Sequence, residues 1–444
     1  MTVESLPLPS GWSWTRLDRV ANVNARIGWK ALTAAEYTSD GYVFLATPNI
    51  KNRDIDFDNV NYISEFRYEE SPELKLQPGD VLLAKDGNTL GIVNIVRKLP
   101  RPATVNGSIA VIRTNGIDPR FLLYTLSSST IQTEISTLKG GMGVPHLFQW
   151  DINRLKFPIP SLEEQCRIAN FLDNETSRID DLNTLRRKQQ KLLEERRYSA
   201  VSEILLPGIL KEVNGGPISP WLPVLPDDRP LVRLGYVCQL QNGLTVDAKR
   251  RVEAGSVTRP YLRVANVQAG RLSLDSVARI TVPAGIAARC TLRAGDVLMT
   301  EGGDLDKLGR GTVWNGELPD CLHQNHVFAI RPDPARLDGN YLALMTQTLH
   351  GRCYFESTGV KTTNLASTNS GKIMSFRIPL PPLAKQQELV SEVSQALLAV
   401  ERAKDALNRQ LSLLAERRQA LITAAVTGQF DVTTASGRNL TQGV

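Results

Sequence analysis

The sequence predicts an α+β protein made by internal duplication: two homologous globular domains separated by two long helices that pack on each other. Three observations predict it. First, Leu76–Gly87, LQPGDVLLAKDG, is nearly repeated by Leu292–Gly303, LRAGDVLMTEGG, 216 positions later. Second, the register persists elsewhere. Arg16-Leu17 recurs as Arg233-Leu234, Leu45…Asn49-Ile50 as Leu262…Asn266-Val267, and Ile112-Arg113 as Ile330-Arg331. Late in each copy, Leu192-Leu193…Glu195-Arg196-Arg197 recurs as Leu413-Leu414…Glu416-Arg417-Arg418, by then 221 positions apart. So small a drift means loop insertions in one shared fold. Third, neither Leu162–Leu206 nor Ala384–Thr427 contains Gly or Pro.

Within each copy the first part reads as strands and loops. Tyr42–Ala46, Val81–Ala84, Gly91–Val96 and Ile109–Arg113 are short β-rich runs separated by Gly, Pro, Asn and Asp. Tyr261–Val264, Val297–Thr300, Thr312–Trp314 and Val327–Arg331 match them in the second copy. Gly79 and Gly295 supply the permissive φ of a turn, and the Asp that follows each opens the next strand. A short helix is expected at Pro119–Ser128 and again at Asn340–Thr348.

The long Gly- and Pro-free runs suit helices of ~60 Å at ~1.5 Å per residue. Pro158 and Pro160 precede the first, and Pro379, Pro381 and Pro382 the second; Gly428 is placed to end it. Leu389, Val393, Ala396, Val400, Ala403, Leu407, Leu411, Leu414 and Leu421 form a seam with threes-and-fours spacing and one slip. The first helix has Ile168, Leu172, Ile179, Leu182 and Leu193 at equivalent places, with Glu175 and Arg186 interrupting them. Each stripe alone would be exposed, so the two helices should cover each other. The expected division is 1–160 as first domain, 161–207 as first helix and 208–230 as a Pro/Gly-rich linker. A second domain at 231–382, a second helix at 383–428 and a disordered polar tail at 429–444 complete it.

Composition narrows the class. The 444 residues are 42% hydrophobic and 22% charged, with formal net charge +6, as in ordinary globular proteins. The excess of positive charge favours an anionic partner only if it gathers on one face. Five scattered cysteines without a CxxC pair suggest reduced thiols and a cytoplasmic protein. MTVESLPLPSGW lacks the basic start and apolar run of a secretory signal, and no stretch has the ~18 apolar residues of a membrane span.

Catalytic signatures are absent. No phosphate-binding loop ending in Gly-Lys-Ser/Thr occurs, no GxGxxG follows a strand, and no Asn/Asp-Pro-Pro-aromatic tetrad is present. Glu73 and Lys75, with Asp54 and Asp56 upstream, could pass for a nuclease cluster, but the second copy has Arg289 and Thr291 in place of Glu73 and Lys75. Cys321, His323 and His326 superficially resemble metal ligands, yet no second pair at metal spacing closes a site, so no metal is expected.

The stretch FPIPSLEEQCRIANFLDNETSRIDDL, with its Pro-x-Leu-x-x-Gln helix entrance, recurs as LPPLAKQQELVSEV at Leu380–Val393. This arrangement resembles the DNA specificity subunit of type I restriction-modification systems, across nearly the whole chain. Lys385 departs from the acidic residue usual before the Gln. The resemblance implies two target-recognition domains alternating with two long helices in a pseudo-two-fold antiparallel coiled coil. Each domain would read half of a split, asymmetric double-stranded DNA target. It also implies that two methyltransferase subunits dock on the helices and bring in motor-nuclease restriction subunits. The chain itself would be no enzyme and bind no cofactor; S-adenosylmethionine, ATP and Mg²⁺ would sit on the partners.

On that reading, base edges and phosphates should be met by Arg, Lys, Asn, Gln and His on loops. The candidates are Lys51, Arg53, Lys85, Asn88, Lys139 and His146 in the first domain. In the second they are Arg263, Asn266, Lys307, Arg310, His323, Asn325 and Lys361. Arg186, Arg187, Lys191, Arg196, Arg197, Arg417 and Arg418 are the candidates for partner docking. Such a basic run is also what a solvated helix face looks like. A rival class is a coiled-coil scaffold carrying two ligand-binding modules and no DNA target.

Overall fold

A computed structural model describes residues 8–25, 32–51, 53–138, 145–209, 230–245, 255–268, 270–303, 308–361 and 366–432. The chain forms two compact units, 1–186 with 409–444, and 187–408. Each unit thus takes one globular part and half of each long helix, Leu162–Leu205 and Leu383–Val426.

The first unit is built on a four-stranded antiparallel sheet in the order Ala21–Asn24, Ile109–Thr114, Val81–Ala84, Val93–Ile95. A second sheet runs Asn61–Ile63, Tyr42–Leu45, Ala103–Val105, its last pair parallel. Val81–Ala84 is apolar at every position because both its faces are covered. Val81 and Leu83 join Leu122, Leu126 and Ile131 from the short helices Pro119–Ser127 and Ser129–Leu138. Leu82 and Ala84 face Val43 and Leu45 of the second sheet. Ser13–Arg16 pairs with Lys156–Ile159, clasping the start of the globular part to the segment just before the long helix.

The second unit repeats this plan. Its main sheet runs Cys238–Asn242, Val327–Pro332, Val297–Thr300, Thr312–Val313, and Val297 faces Ile330 as Val81 faces Ile112. Ala278–Pro283, Ser256–Leu262 and Leu322–His323 form the second sheet, and Leu231–Arg233 pairs with Arg377–Pro379 as the clasp. The duplication is therefore structural as well as textual.

The repeated Gly-Asp turn owes its persistence to a buried ion pair. Gly79 and Gly295 have φ of +95° and +91°, where a side chain would be strained. The adjoining carboxylate of Asp80 accepts Nε and Nη2 of Arg113, both at 2.8 Å, and Asp296 accepts those of Arg331 at 2.7 Å. Each Asp also accepts a turn amide, from Gln77 or Arg293, at 2.8 Å.

The helix entrance has an equally local reason. The amide oxygen of Gln165 accepts the backbone N–H of Asp118 at 3.0 Å while its Nε2 donates to the carbonyl of Pro160. Gln386 does the same with Asp338 and Pro381. Asp118 and Asp338 in turn cap the short helices Pro119–Ser127 and Gly339–Gln347. The buried glutamine thus welds the start of each long helix to the globular part before it.

The other end of each long helix belongs to the opposite copy. In the first unit Ile168 and Leu172 pack with Ile422, Ala425 and Val426 around Phe121, and Thr423 Oγ1 accepts the amide of Ser129. In the second, Val393 packs with Val201 and Leu205, and Ser202 Oγ accepts the amide of Leu349. Numbers rise on one helix as they fall on the other: Gln190, Glu194 and Arg197 meet Asn408, Lys404 and Glu401. The pairing is antiparallel. Since each globular part buries the start of one helix and the end of the other, compactness divides the chain within both helices, not at their entrances. Leu182, expected in the seam, is instead 42% exposed. Polar pairs such as Gln190–Asn408 and Glu194–Lys404 hold the helices together where the apolar stripe is thin.

None of the five cysteines is in a disulfide, and burial pushes the Cys238 and Cys321 thiols up to about 12. Among the described residues no helix is long and apolar enough to cross a membrane, and no group of three or more His, Cys, Asp or Glu is placed to hold a metal.

Candidate nucleic-acid interface

In both copies the segment leaving the repeated strand pairs with the segment entering the last short helix. In the first unit the amide of Leu147 donates to the carbonyl of Lys85 and that of Gly87 to Pro145, each at 2.9 Å. Asp86 and His146 face each other across this bridge, joined through Nδ1 of the imidazole. In the second unit Thr368 donates to Glu301 at 2.8 Å, and Gly302-Gly303 pair with Ala366-Ser367, which pair with Val360–Lys361. The scaffold is common; the side chains are not. Lys85, Asp86 and His146 stand where the second copy has Glu301, Gly302 and Ser367, with His326 beside Glu301.

Three of the proposed first-domain readers thus converge on one loop pair. Asn88 is exposed and His146 partly so, whereas Lys85 is buried and its ammonium lies 3.4 Å from Asp86. Lys51 and Arg53 lie elsewhere, in a cleft of about 550 Å³ beside the first long helix. There Arg53 donates to Ser177 at 3.0 Å and approaches Asp181 at 3.8 Å. Lys139 and Lys307 fall outside the described residues; Lys361 lies in the paired strand.

In the second unit, burial overturns three expectations. Asn266 is a turn residue: its amide oxygen accepts the Arg263 backbone N–H and its Nδ2 donates to Ser273 and Ser276, as Asn49 does with Ala46 and Asn59. Arg310 is buried, with Nη1 on the hydroxyl of Tyr198 at 2.8 Å and the guanidinium 5.1 Å over its ring. His323 is 0% exposed; its Nδ1 donates to the carbonyl of Val327 and its Nε2 accepts from Gln241. In each case burial turns the side chain into the fold and away from solvent. Arg263 is exposed and Asn325 partly buried.

Burial holds His323 and His350 below the ordinary imidazole value of ~6.5, with hydrogen bonds to Val327 and Arg377 opposing it. The native state refuses protons that the unfolded chain accepts. Their contribution is therefore full above ~6.5 and is lost as pH falls through the native values. Each histidine should add up to about 1.4 kcal/mol per pH unit to the slope of unfolding free energy in that window. Urea titrations between pH 7 and pH 5 on the chain and on His323→Gln and His350→Gln check this; an unchanged slope in both variants rejects it.

On the long helices Arg187, Lys191, Arg196 and Arg417 are exposed. Arg186 is partly buried. Arg197 donates to Gln347 at 3.2 Å and Arg418 lies 3.7 Å from Asp180. The repeated Leu-Leu…Glu-Arg-Arg segment therefore has a fixed polarity. Its first Leu and first Arg face solvent, and its second Leu and second Arg turn inward.

Phe148 and Trp150, which sequence reasoning did not single out, are exposed beside this loop pair. Aligning the copies at an offset of 221 would have drawn attention to them, because HLFQW at 146–150 faces STNSG at 367–371.

Residues 9–194 match the family model described as "Type I restriction modification DNA specificity domain". The chain is 25% identical over 436 residues to the type I restriction enzyme EcoKI specificity subunit of Escherichia coli (strain K12), covering 95% of this chain and 90% of that protein. It is 23% identical over 434 residues to the StySPI specificity subunit of Salmonella potsdam, again covering 95% and 90%. Its fold is shared with a chain solved under the description "Structural basis underlying complex assembly and conformational transition of the type I R-M system". That match has TM-score 0.67 and 21% identity, covering 96% of this chain and 100% of that one.

Proposed function

We infer that the chain is a type I restriction-modification specificity subunit, as the match of residues 9–194 and the two relatives covering 95% of it support, and we propose on that premise that it reads a split, asymmetric DNA target through its two globular parts. One observation carries the asymmetry: equivalent loop pairs on a common scaffold bear unlike side chains, Lys85-Asp86-Gly87 with His146 against Glu301-Gly302-Gly303 with Ser367. Side chains that differ at matched positions present different donors and acceptors to base edges, so the two half-sites should differ.

In this reading the chain supplies recognition and no catalysis. The exposed faces around Arg187, Lys191, Arg196 and Arg417 dock two methyltransferase subunits, and through them the restriction subunits. S-adenosylmethionine, ATP and Mg²⁺ belong to those partners. The antiparallel helices act as the spacer, because half-sites must be met in register with the turn of the duplex.

The test is to co-express the chain with its methyltransferase subunits and map N6-methyladenine across host DNA. A two-part motif is expected, and exchanging residues 1–160 for the first domain of another specificity subunit should change one half of it only. Motifs altered in both halves, or in neither, would reject the assignment. Modification without any DNA motif would favour a scaffold.

A further inference from the structure

Resting on the reading of the first globular part as a DNA reader, we propose that Phe148 and Trp150 form an aromatic wedge that packs against the bases of the half-site met by that part, a contact that the second part lacks. The two side chains are 48% and 55% exposed, an expensive way to display large apolar surface. Their rings stack at 6.2 Å and 19°, which makes one stiff plate of them. The plate is held at both ends. The His146 ring meets Phe148 edge-on at 4.5 Å and is itself pinned by Asp86, and the exposed Arg154 guanidinium lies 5.2 Å over the Trp150 ring. A rigid aromatic ladder continuous with His146 and ending in a cation matches a polyanion whose interior is a stack of π-faces.

The second copy shows what this position looks like without such a role. Asn369 is the N-cap of Ser370–Ser375 and accepts the amide of Lys372 at 3.0 Å. Phe148 occupies the same N-cap position of Gln149–Arg154 and makes no side-chain cap bond. Asn is among the favoured caps, and an apolar residue there forfeits the hydrogen bond. Trp150 and His146 likewise stand where the copy has Gly371 and Ser367. At Phe148 a capping hydrogen bond has been given up for an exposed apolar ring, the pattern expected at a functional surface. Apolar side chains wedged at a base step partly unstack it, and aromatic stacking on bases tolerates many sequences. The wedge therefore adds affinity and deformation to the first half-site, while Asn88 and His146 carry base-edge contacts.

The experiment uses the complex assembled with methyltransferase subunits. Phe148→Asn and Trp150→Ser are made singly and together, and binding to the mapped target duplex is measured at fixed salt. The double variant should bind about 10–100-fold more weakly, with an unchanged slope against log salt because no phosphate contact is removed. 2-Aminopurine placed in the first half-site should brighten on binding the unaltered complex and stay dim with the double variant. Phe148→Asn should unfold at the same temperature as the unaltered chain or higher, which a merely structural role for Phe148 would not allow. Unchanged affinity in a fully assembled complex overturns the wedge. Loss of methyltransferase co-purification overturns it too and reassigns the pair to a protein interface. Absence of specific retention by the unaltered complex would instead strike the DNA reading itself, and is seen before any variant is compared.

Discussion

Arg331→Met is expected to cost about 3–5 kcal/mol of folding stability, and Arg113→Met a similar amount toward the lower end. The carboxylate of Asp296 is 1% exposed and receives two parallel guanidinium bonds of 2.7 Å. Removing the arginine leaves a buried charge with the Arg293 amide as its remaining partner at 2.8 Å. An unpaired carboxylate cannot be rehydrated there without opening the Gly-Asp turn against which the central strand Val297–Thr300 is aligned. Arg331→Lys should recover part of the loss, since an ammonium restores charge without the bidentate geometry. Arg113 is more exposed than Arg331, so water compensates more of its removal. Urea denaturation at neutral pH measures all three. A cost within about 1 kcal/mol for Arg331→Met would show that the pair is not what holds the repeated turn.

Lengthening both long helices by one turn is expected to lengthen the unread spacer of the DNA target by about two base pairs. Four residues add ~6 Å of helix, and duplex DNA rises ~3.4 Å per base pair. The insertions belong after Arg186 and after Asn408, where the chain passes from one compact unit to the other. The same insertion in one helix only should abolish site-specific modification. It makes the two helices unequal in length, so that Gln190–Asn408 and Glu194–Lys404 can no longer keep one register with Asp180–Arg418. Methylated-adenine mapping reads both results. A spacer unchanged by the paired insertion would mean that something other than helix length sets the half-site distance.

Much of the architecture was legible because it is encoded locally. The long helices announce themselves through forty-odd positions without Gly or Pro and through apolar threes and fours; they run Leu162–Leu205 and Leu383–Val426, inside the stretches 161–207 and 383–428 read as helices from the sequence. Val81–Ala84 and Val297–Thr300 were readable as strands bounded by a Gly-Asp turn. The clasp of Ser13–Arg16 on Lys156–Ile159 was not, because its two halves lie some 140 residues apart and neither alone has a strong pattern.

The candidate site divides in the same way. Asn88 and His146 were chosen from residue type and sequence neighbourhood, and the pairing of Asp86 with His146 brings their segments together. His323, Asn266 and Arg310 have the same donor chemistry and failed, because the fold turns each inward. Duplication, helix periodicity and turn geometry depend on short-range backbone preferences and spacing, so the sequence by itself determined them. Which polar side chain is spent on the core and which is offered to solvent depends on segments far apart in the chain, and only the tertiary structure decided it. Solvation and hydrogen bonding are properties of the surroundings a residue acquires on folding, not of its name.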